Sequence, residues 1–328
     1  MTAALRALMS GVIDYAGLFP PAKLWLGEAV REYVEIRESA ADAWMLGRFV
    51  VPASQLSELE RWGNILCRGD RHTELAATGR PAADFQTWQQ QLQSDVKAIE
   101  EFLNRWSDRI EVASLELPLC ENIDDEDGPD VSAFISSGVS LLHSGLPIRT
   151  LFLEVPAVRG ADEVRLSVIR QLGRRVTTTT ALGSSTRLTI GFKFRTGGLT
   201  ANAFPTGEQL ANIVSESAAH NCPWKATAGL HHALPREDAE IGATMHGFLN
   251  VLFASAFARS QIAAEGEILQ IIRNRDPRRF QIDGRGIHWN GRTIPVPALT
   301  NARSGGFQSF GSCSFAEPRD DLTKLGLL

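Results

Sequence analysis

The stretch Leu188-Thr189-Ile190-Gly191-Phe192-Lys193-Phe194-Arg195 decides the reading of the fold. Its residues alternate with the period of a β-strand. Leu188, Ile190, Phe192 and Phe194 share one face, and Thr189, Gly191, Lys193 and Arg195 share the other. If amphipathic helices cover the apolar face, the polar face must turn toward an interior. In a (β/α)8 barrel that interior is the barrel lumen, and the two cations then lie at the C-terminal end of the strand, where active sites of this fold sit.

The same pattern recurs in the neighbouring segments. In Thr150–Val155, Thr150, Phe152 and Glu154 oppose Leu151, Leu153 and Val155. In Val112–Leu117, Val112, Ser114 and Glu116 oppose Ala113, Leu115 and Leu117. In Pro223–Thr227, Lys225 shares a face with Pro223 and Thr227. Four consecutive strands thus direct Glu116, Glu154, Lys193 and Lys225 inward near their C-terminal ends. Further strands are read at Val12–Gly17, Arg48–Pro52, Asn64–Arg68 and Ser309–Phe315. In the first of these, Asp14 joins Val12 and Ala16 on the inner face.

Between the strands lie amphipathic segments. The clearest runs from Ala83 to Trp106, where Phe85, Trp88, Leu92, Val96, Ile99, Leu103 and Trp106 form one helical stripe. Asp130 is read as the N-cap of the next helix and Gly145-Leu146-Pro147 as its stop. Asp124–Asp130 and Thr177–Thr180, the latter followed by Gly183-Ser184-Ser185, are read as loops. Phe280–Pro295 interrupts the alternation, and its Trp289-Asn290-Gly291-Arg292 reads as a tight turn of a small β-hairpin insertion. The expected architecture is α/β, a single (β/α)8 TIM-type barrel over residues 1–328 with a hairpin insertion at 280–295. An open doubly wound sheet is the alternative.

Composition narrows the function classes. The chain of 328 residues has 33 Lys+Arg against 38 Asp+Glu, a formal charge of −5, and 44% hydrophobic residues. Such a chain buries a large core without disulfides or structural metals. Its mild acidity argues against nucleic acid or an anionic membrane as the main partner. No run of some 18 apolar residues reads as a membrane span, and Met1–Ser10 lacks the apolar core of a secretory signal. Cys67, Cys120, Cys222 and Cys313 are scattered, with no C-x-x-C pair, which fits a reducing cytoplasm. The expected partner is a small-molecule substrate, with a homo-oligomer left open.

Lys193 on the sixth strand and Lys225 on the seventh resemble the arrangement in class I aldolases of the deoxyribose-phosphate aldolase type. The resemblance implies an imine-forming lysine on the sixth strand and a second lysine on the seventh that lowers its pKa. By position, Lys193 is the nucleophile. The wording Lys225-Ala226-Thr227-Ala228-Gly229 is nearer to that family's Schiff-base motif, so the assignment between the two lysines stays open. The phrases Ile13-Asp14-Tyr15-Ala16-Gly17-Leu18-Phe19-Pro20-Pro21, Lys225–His232 and Gly311-Ser312-Cys313-Ser314-Phe315 are similar to a bacterial family of uncharacterised activity.

On this reading Glu116 or Glu154 moves protons, and Asp14 binds a substrate hydroxyl or ammonium or pairs with a neighbouring lysine. Arg195 and the amides near Gly197 and Gly198 hold a carboxylate or phosphate. His231 and His246 are further substrate-binding candidates. The expected chemistry is lyase- or aldolase-like on a small polar or anionic carbonyl compound, without a cofactor. One alternative is a metal-assisted hydrolase or isomerase, with a divalent metal on His231, His232 and Glu154. Another is an anion-binding barrel without catalysis. Cys313 reads as a buried inert thiol, and Phe248, Leu249, Leu252 and Phe253 as helix core, with Asn250 facing the site or capping a loop. No G-x-G-x-x-G lies between a strand and a helix and no Walker motif occurs, so NAD and ATP have no support.

Overall fold

A computed structural model describes residues 1–69, 72–123, 129–142, 146–156, 161–172, 175–179 and 185–328. Eight parallel strands close into a barrel. They are β1 (Ile13–Tyr15), β2 (Leu46–Pro52), β3 (Thr73–Thr78), β4 (Ile110–Pro118), β5 (Thr150–Glu154), β6 (Ser185–Arg195), β7 (Trp224–Thr227) and β8 (Phe307–Ser312). Each pairs with the next, and β8 pairs with β1, so no barrel edge is left open. Helices alternate with the strands, giving the (β/α)8 architecture expected from the alternation.

The outer faces of the strands supply the core under the helices. Leu115, Leu151, Leu153, Ile190 and Phe192 are fully buried there. The helix Phe85–Trp106 starts after Asp84, whose carboxylate accepts from the Thr87 amide at 2.7 Å, and it buries Trp88, Leu92, Val96, Ile99 and Leu103 against the barrel. Phe85, Trp88 and Phe134 then pack edge to face across to the next helix, Val131–Leu142. Asp130 precedes that helix and bonds the Ser132 hydroxyl at 2.6 Å.

Two expected elements are corrected. Asn64–Arg68 is not a strand: Gly63–Leu66 is one helical turn, and the third strand is Thr73–Thr78. A short apolar run does not distinguish strand from helix, whereas Glu74-Leu75-Ala76-Ala77 consists of helix-forming residues and carries no strand signature. Its alanines suit the crowded barrel wall, and both Ala76 and Ala77 are fully buried. Thr177–Thr179, read as loop, lies in a strand, Arg175–Thr179, that pairs antiparallel with the first half of β6. The β-branched threonine run favours that geometry. The stop at Gly145 and the loops at Asp124–Gly128 and Thr180–Ser184 lie outside the described residues.

The insertion before β8 is a three-stranded antiparallel sheet, Gln281–Ile282, Gly286–Trp289 and Arg292–Pro295. Asn290 and Gly291 both have positive φ, 46° and 76°, as a two-residue hairpin turn of this hand requires. A second small hairpin, Arg236–Asp238 with Ala243–Met245, rises from the loop after β7. Among the described residues no helix is long and apolar enough to cross a membrane.

Candidate active site at the barrel mouth

Strand alternation delivers the inward charges to one place. Lys225 on β7 donates to Asp14 Oδ2 on β1 at 2.6 Å and to Glu116 Oε1 on β4 at 2.5 Å. The other Glu116 oxygen faces the Lys193 ammonium on β6 at 3.0 Å, and Lys193 also meets Glu154 Oε2 on β5 at 3.0 Å. Arg195, two residues beyond Lys193 on the same face, donates from Nε to Glu154 Oε1 at 3.2 Å. The result is an alternating chain, Asp14–Lys225–Glu116–Lys193–Glu154–Arg195, with three carboxylates balancing three cations. Such balance is what allows ions to stay in a barrel interior, since each alone would lose several kcal/mol of solvation, roughly.

Depth orders the chain. The side chains of Lys225 and Asp14 are 1% exposed, those of Glu154 and Lys193 9% and 10%, and that of Arg195 44%. Lys225 and Asp14 therefore form the floor, Lys193 the layer reached from outside, and Arg195 the rim. Phe152 lies below, its ring 5.7 Å from the Lys225 nitrogen. A Cβ on Gly191 would fall 2.8 Å from that ring, so the glycine beside Phe152 makes room for it.

The electrostatics follow from these contacts. Burial pulls the Lys193 pKa down, but Glu154 and Glu116 outweigh it and hold the amine above its ordinary value. Burial pushes Glu116 up, and the two lysine ammoniums outweigh that and hold it below the usual carboxylate range. Lys193 and Glu116 are thus each held in the charged form. The expected lowering of one lysine's pKa by the other does not operate here, because Glu116 sits between them and screens each from its neighbour.

Two partners of the cluster were missing from the sequence reading. The Ser309 hydroxyl on β8 donates to Asp14 Oδ2 at 2.6 Å, and the Arg48 backbone amide donates to Asp14 Oδ1 at 2.9 Å. Ser309 was within reach, since it is a small polar residue on the opposite strand face from the apolar Phe310. The Arg48 amide has no side-chain signature. Asp14 thereby takes the ammonium-pairing role.

The remaining candidates lie elsewhere. Gly197 and Gly198 serve close packing: a Cβ on Gly197 would meet Gly229 Cα at 2.6 Å, where the loops after β6 and β7 touch. His231 and His232 do not share a ligand position. They face Glu317 at 3.1 Å and Asp321 at 3.0 Å, both on the last helix, Ala316–Lys324, while Glu154 holds Lys193 and Arg195. Among the described residues no three His, Cys, Asp or Glu side chains converge as metal ligands. His246 bonds the Pro205 carbonyl at 2.7 Å, and burial lowers its pKa. Asn250 donates to the carbonyls of Ile271, Ile272 and Asn274 and so ties down the end of helix Glu267–Arg273. The Cys313 thiol is pushed up by burial, the reverse of an activated nucleophile.

No family model, curated protein or solved structure matches the chain.

Proposed function

We propose that the chain is a lyase, aldolase-like, that acts on a small polar or anionic carbonyl compound through an imine on Lys193. The observation that carries this reading is a lysine held between two carboxylates within a charge-balanced barrel mouth, above a second lysine and beside a rim guanidinium. Of the two lysines, Lys193 is the one that a molecule entering the mouth reaches. Lys225 on the floor keeps Glu116 neutralised while Lys193 gives up its proton.

The steps balance within these residues. Lys193 passes a proton to Glu154 or Glu116, and its free electron pair attacks the carbonyl carbon. The carbonyl oxygen takes up protons and leaves as water, which gives an iminium. Cleavage of the bond one carbon removed sends its electron pair into the iminium, while a carboxylate takes the hydroxyl proton of the departing fragment. The enamine is reprotonated at carbon, and water then frees the amine. Arg195, with its remaining guanidinium edge at the rim, holds a carboxylate or phosphate of the substrate. Cys67, Cys222 and Cys313 are free thiols, which supports a cytoplasmic setting.

Borohydride reduction in the presence of small hydroxylated, carboxylated and phosphorylated aldehydes and ketones tests the reading. A substrate raises the intact mass by its own mass less one oxygen, and Lys193→Met loses the adduct. Absence of any adduct across the panel would overturn it. The raised pKa of Lys193 favours one second reading, in which the ammonium acts as an acid and Glu154 as a base that shifts a proton beside the carbonyl without a covalent bond. Turnover without trapping would select that reading.

A further inference from the structure

A second concave surface lies on the hairpin insertion, away from the barrel mouth. It encloses about 530 Å³ between the turn Pro277–Arg279 and the sheet of Gln281–Pro295. The insertion is seated on helix Phe248–Arg259: Phe280 packs edge-on against Phe253 at 5.0 Å and against Trp289 at 5.4 Å.

Three guanidinium groups line this groove. Arg278 is held by Asp276 through two bonds of 2.9 Å, and Arg285 by Asp283 at 3.1 and 3.2 Å. Both pairs are local in sequence and largely exposed, so water and salt screen them and little is lost on exchanging partners. Asp283 Oδ1 is further fixed by the amides of Arg285 and Gly286, at 2.8 and 3.1 Å, and by the His288 ring at 3.0 Å, which commits that oxygen to the turn. Arg279 differs. Its guanidinium lies over the Trp289 ring at 4.7 Å and donates to Asn290 Oδ1; the Asp276 carboxylate acts on it only at longer range, and among the described residues no carboxylate forms a direct ion pair with it. A stacked guanidinium is pre-oriented, and this one lines the groove without a direct ion pair.

We propose that this groove binds the phosphoryl groups of a small polyanionic molecule. The volume falls in the range of small-ligand sites rather than of a folded partner. One unpaired fork flanked by two exchangeable ones suits an anion with several oxygens on more than one centre, and Gln281 and Thr293 add neutral donors at the rim. The site is independent of the chemistry at the mouth.

Calorimetric titration of the full chain with inorganic pyrophosphate tests it. Saturable binding is expected that weakens as salt rises. Arg279→Gln should bind about tenfold more weakly, the loss of one charge-assisted contact. Arg279→Lys keeps the charge but not the fork and should fall between. Arg195→Gln removes the guanidinium at the barrel mouth, and the Arg279-dependent binding should persist in it. No saturable heat at millimolar pyrophosphate, unchanged affinity in Arg279→Gln, or loss of binding in Arg195→Gln would each overturn the assignment. Citrate binding as tight as pyrophosphate would overturn the preference for phosphoryl groups.

Discussion

Glu116→Gln strikes the one carboxylate that both lysines share. Glu116 is 1% exposed and accepts from Lys225 at 2.5 Å and from Lys193 at 3.0 Å. Breaking a buried ion pair from one side costs about 3–5 kcal/mol, because the charge left behind stays buried. Here each ammonium keeps one carboxylate, Asp14 for Lys225 and Glu154 for Lys193, so a value near the lower end, about 3 kcal/mol, is expected. The sign with pH follows from Glu116. Its pKa is lower folded than unfolded, so its contribution is present above the ordinary carboxylate range and is lost as pH falls through the folded value. The deficit of the variant should therefore be full at pH 7 and shrink in strong acid. Urea unfolding followed by circular dichroism measures it at each pH. A deficit under about 1 kcal/mol at neutral pH, the size of an exposed pair, would refute the bridging role of Glu116.

The other expectations concern buried residues of the helices and loops around the barrel and the reactivity of Lys193. Asp95 is buried in helix Phe85–Trp106, one of its oxygens accepts no hydrogen bond among the described residues, and burial raises its pKa to about 6. Since the folded value exceeds the unfolded one, the carboxylate destabilises progressively as pH rises from about 4 to 6, and Asp95→Asn should gain about 2 kcal/mol above that window and nothing below it in urea titrations at pH 4 and pH 8. Asn250→Ala removes the donor to three carbonyls and should cost about 2–3 kcal/mol, with faster amide exchange at Ile271–Asn274. Gly229 has φ +77° and a Cβ there would sit 2.5 Å from the Thr196 carbonyl, so Gly229→Ala should cost about 2 kcal/mol or more in thermal unfolding. Because Glu154 and Glu116 hold Lys193 protonated, the rate of imine trapping should climb steadily as pH rises above neutrality.

Much of the site was legible because alternation in a strand is a local property. Once Leu188–Arg195 was assigned to a barrel wall, Lys193 had to face the lumen, and the same argument placed Glu116, Glu154 and Lys225. What alternation does not contain is who meets whom across the lumen. Glu116 sits between the lysines rather than beside one of them, and with Glu154 it raises the Lys193 pKa where a facing lysine would lower it. The histidines show the same limit. His231 and His232 follow β7 in sequence, but the last helix gives each its own carboxylate partner, Glu317 and Asp321. In the fold, β3 escaped because its alanines satisfy crowding in the barrel rather than any intrinsic strand preference.

Peptide mapping of the borohydride-reduced adduct tests the central claim most directly. The account predicts the substrate-derived mass on the peptide carrying Lys193, retained in Lys225→Met and absent in Lys193→Met. An adduct on Lys225, or one that persists in Lys193→Met, would contradict it.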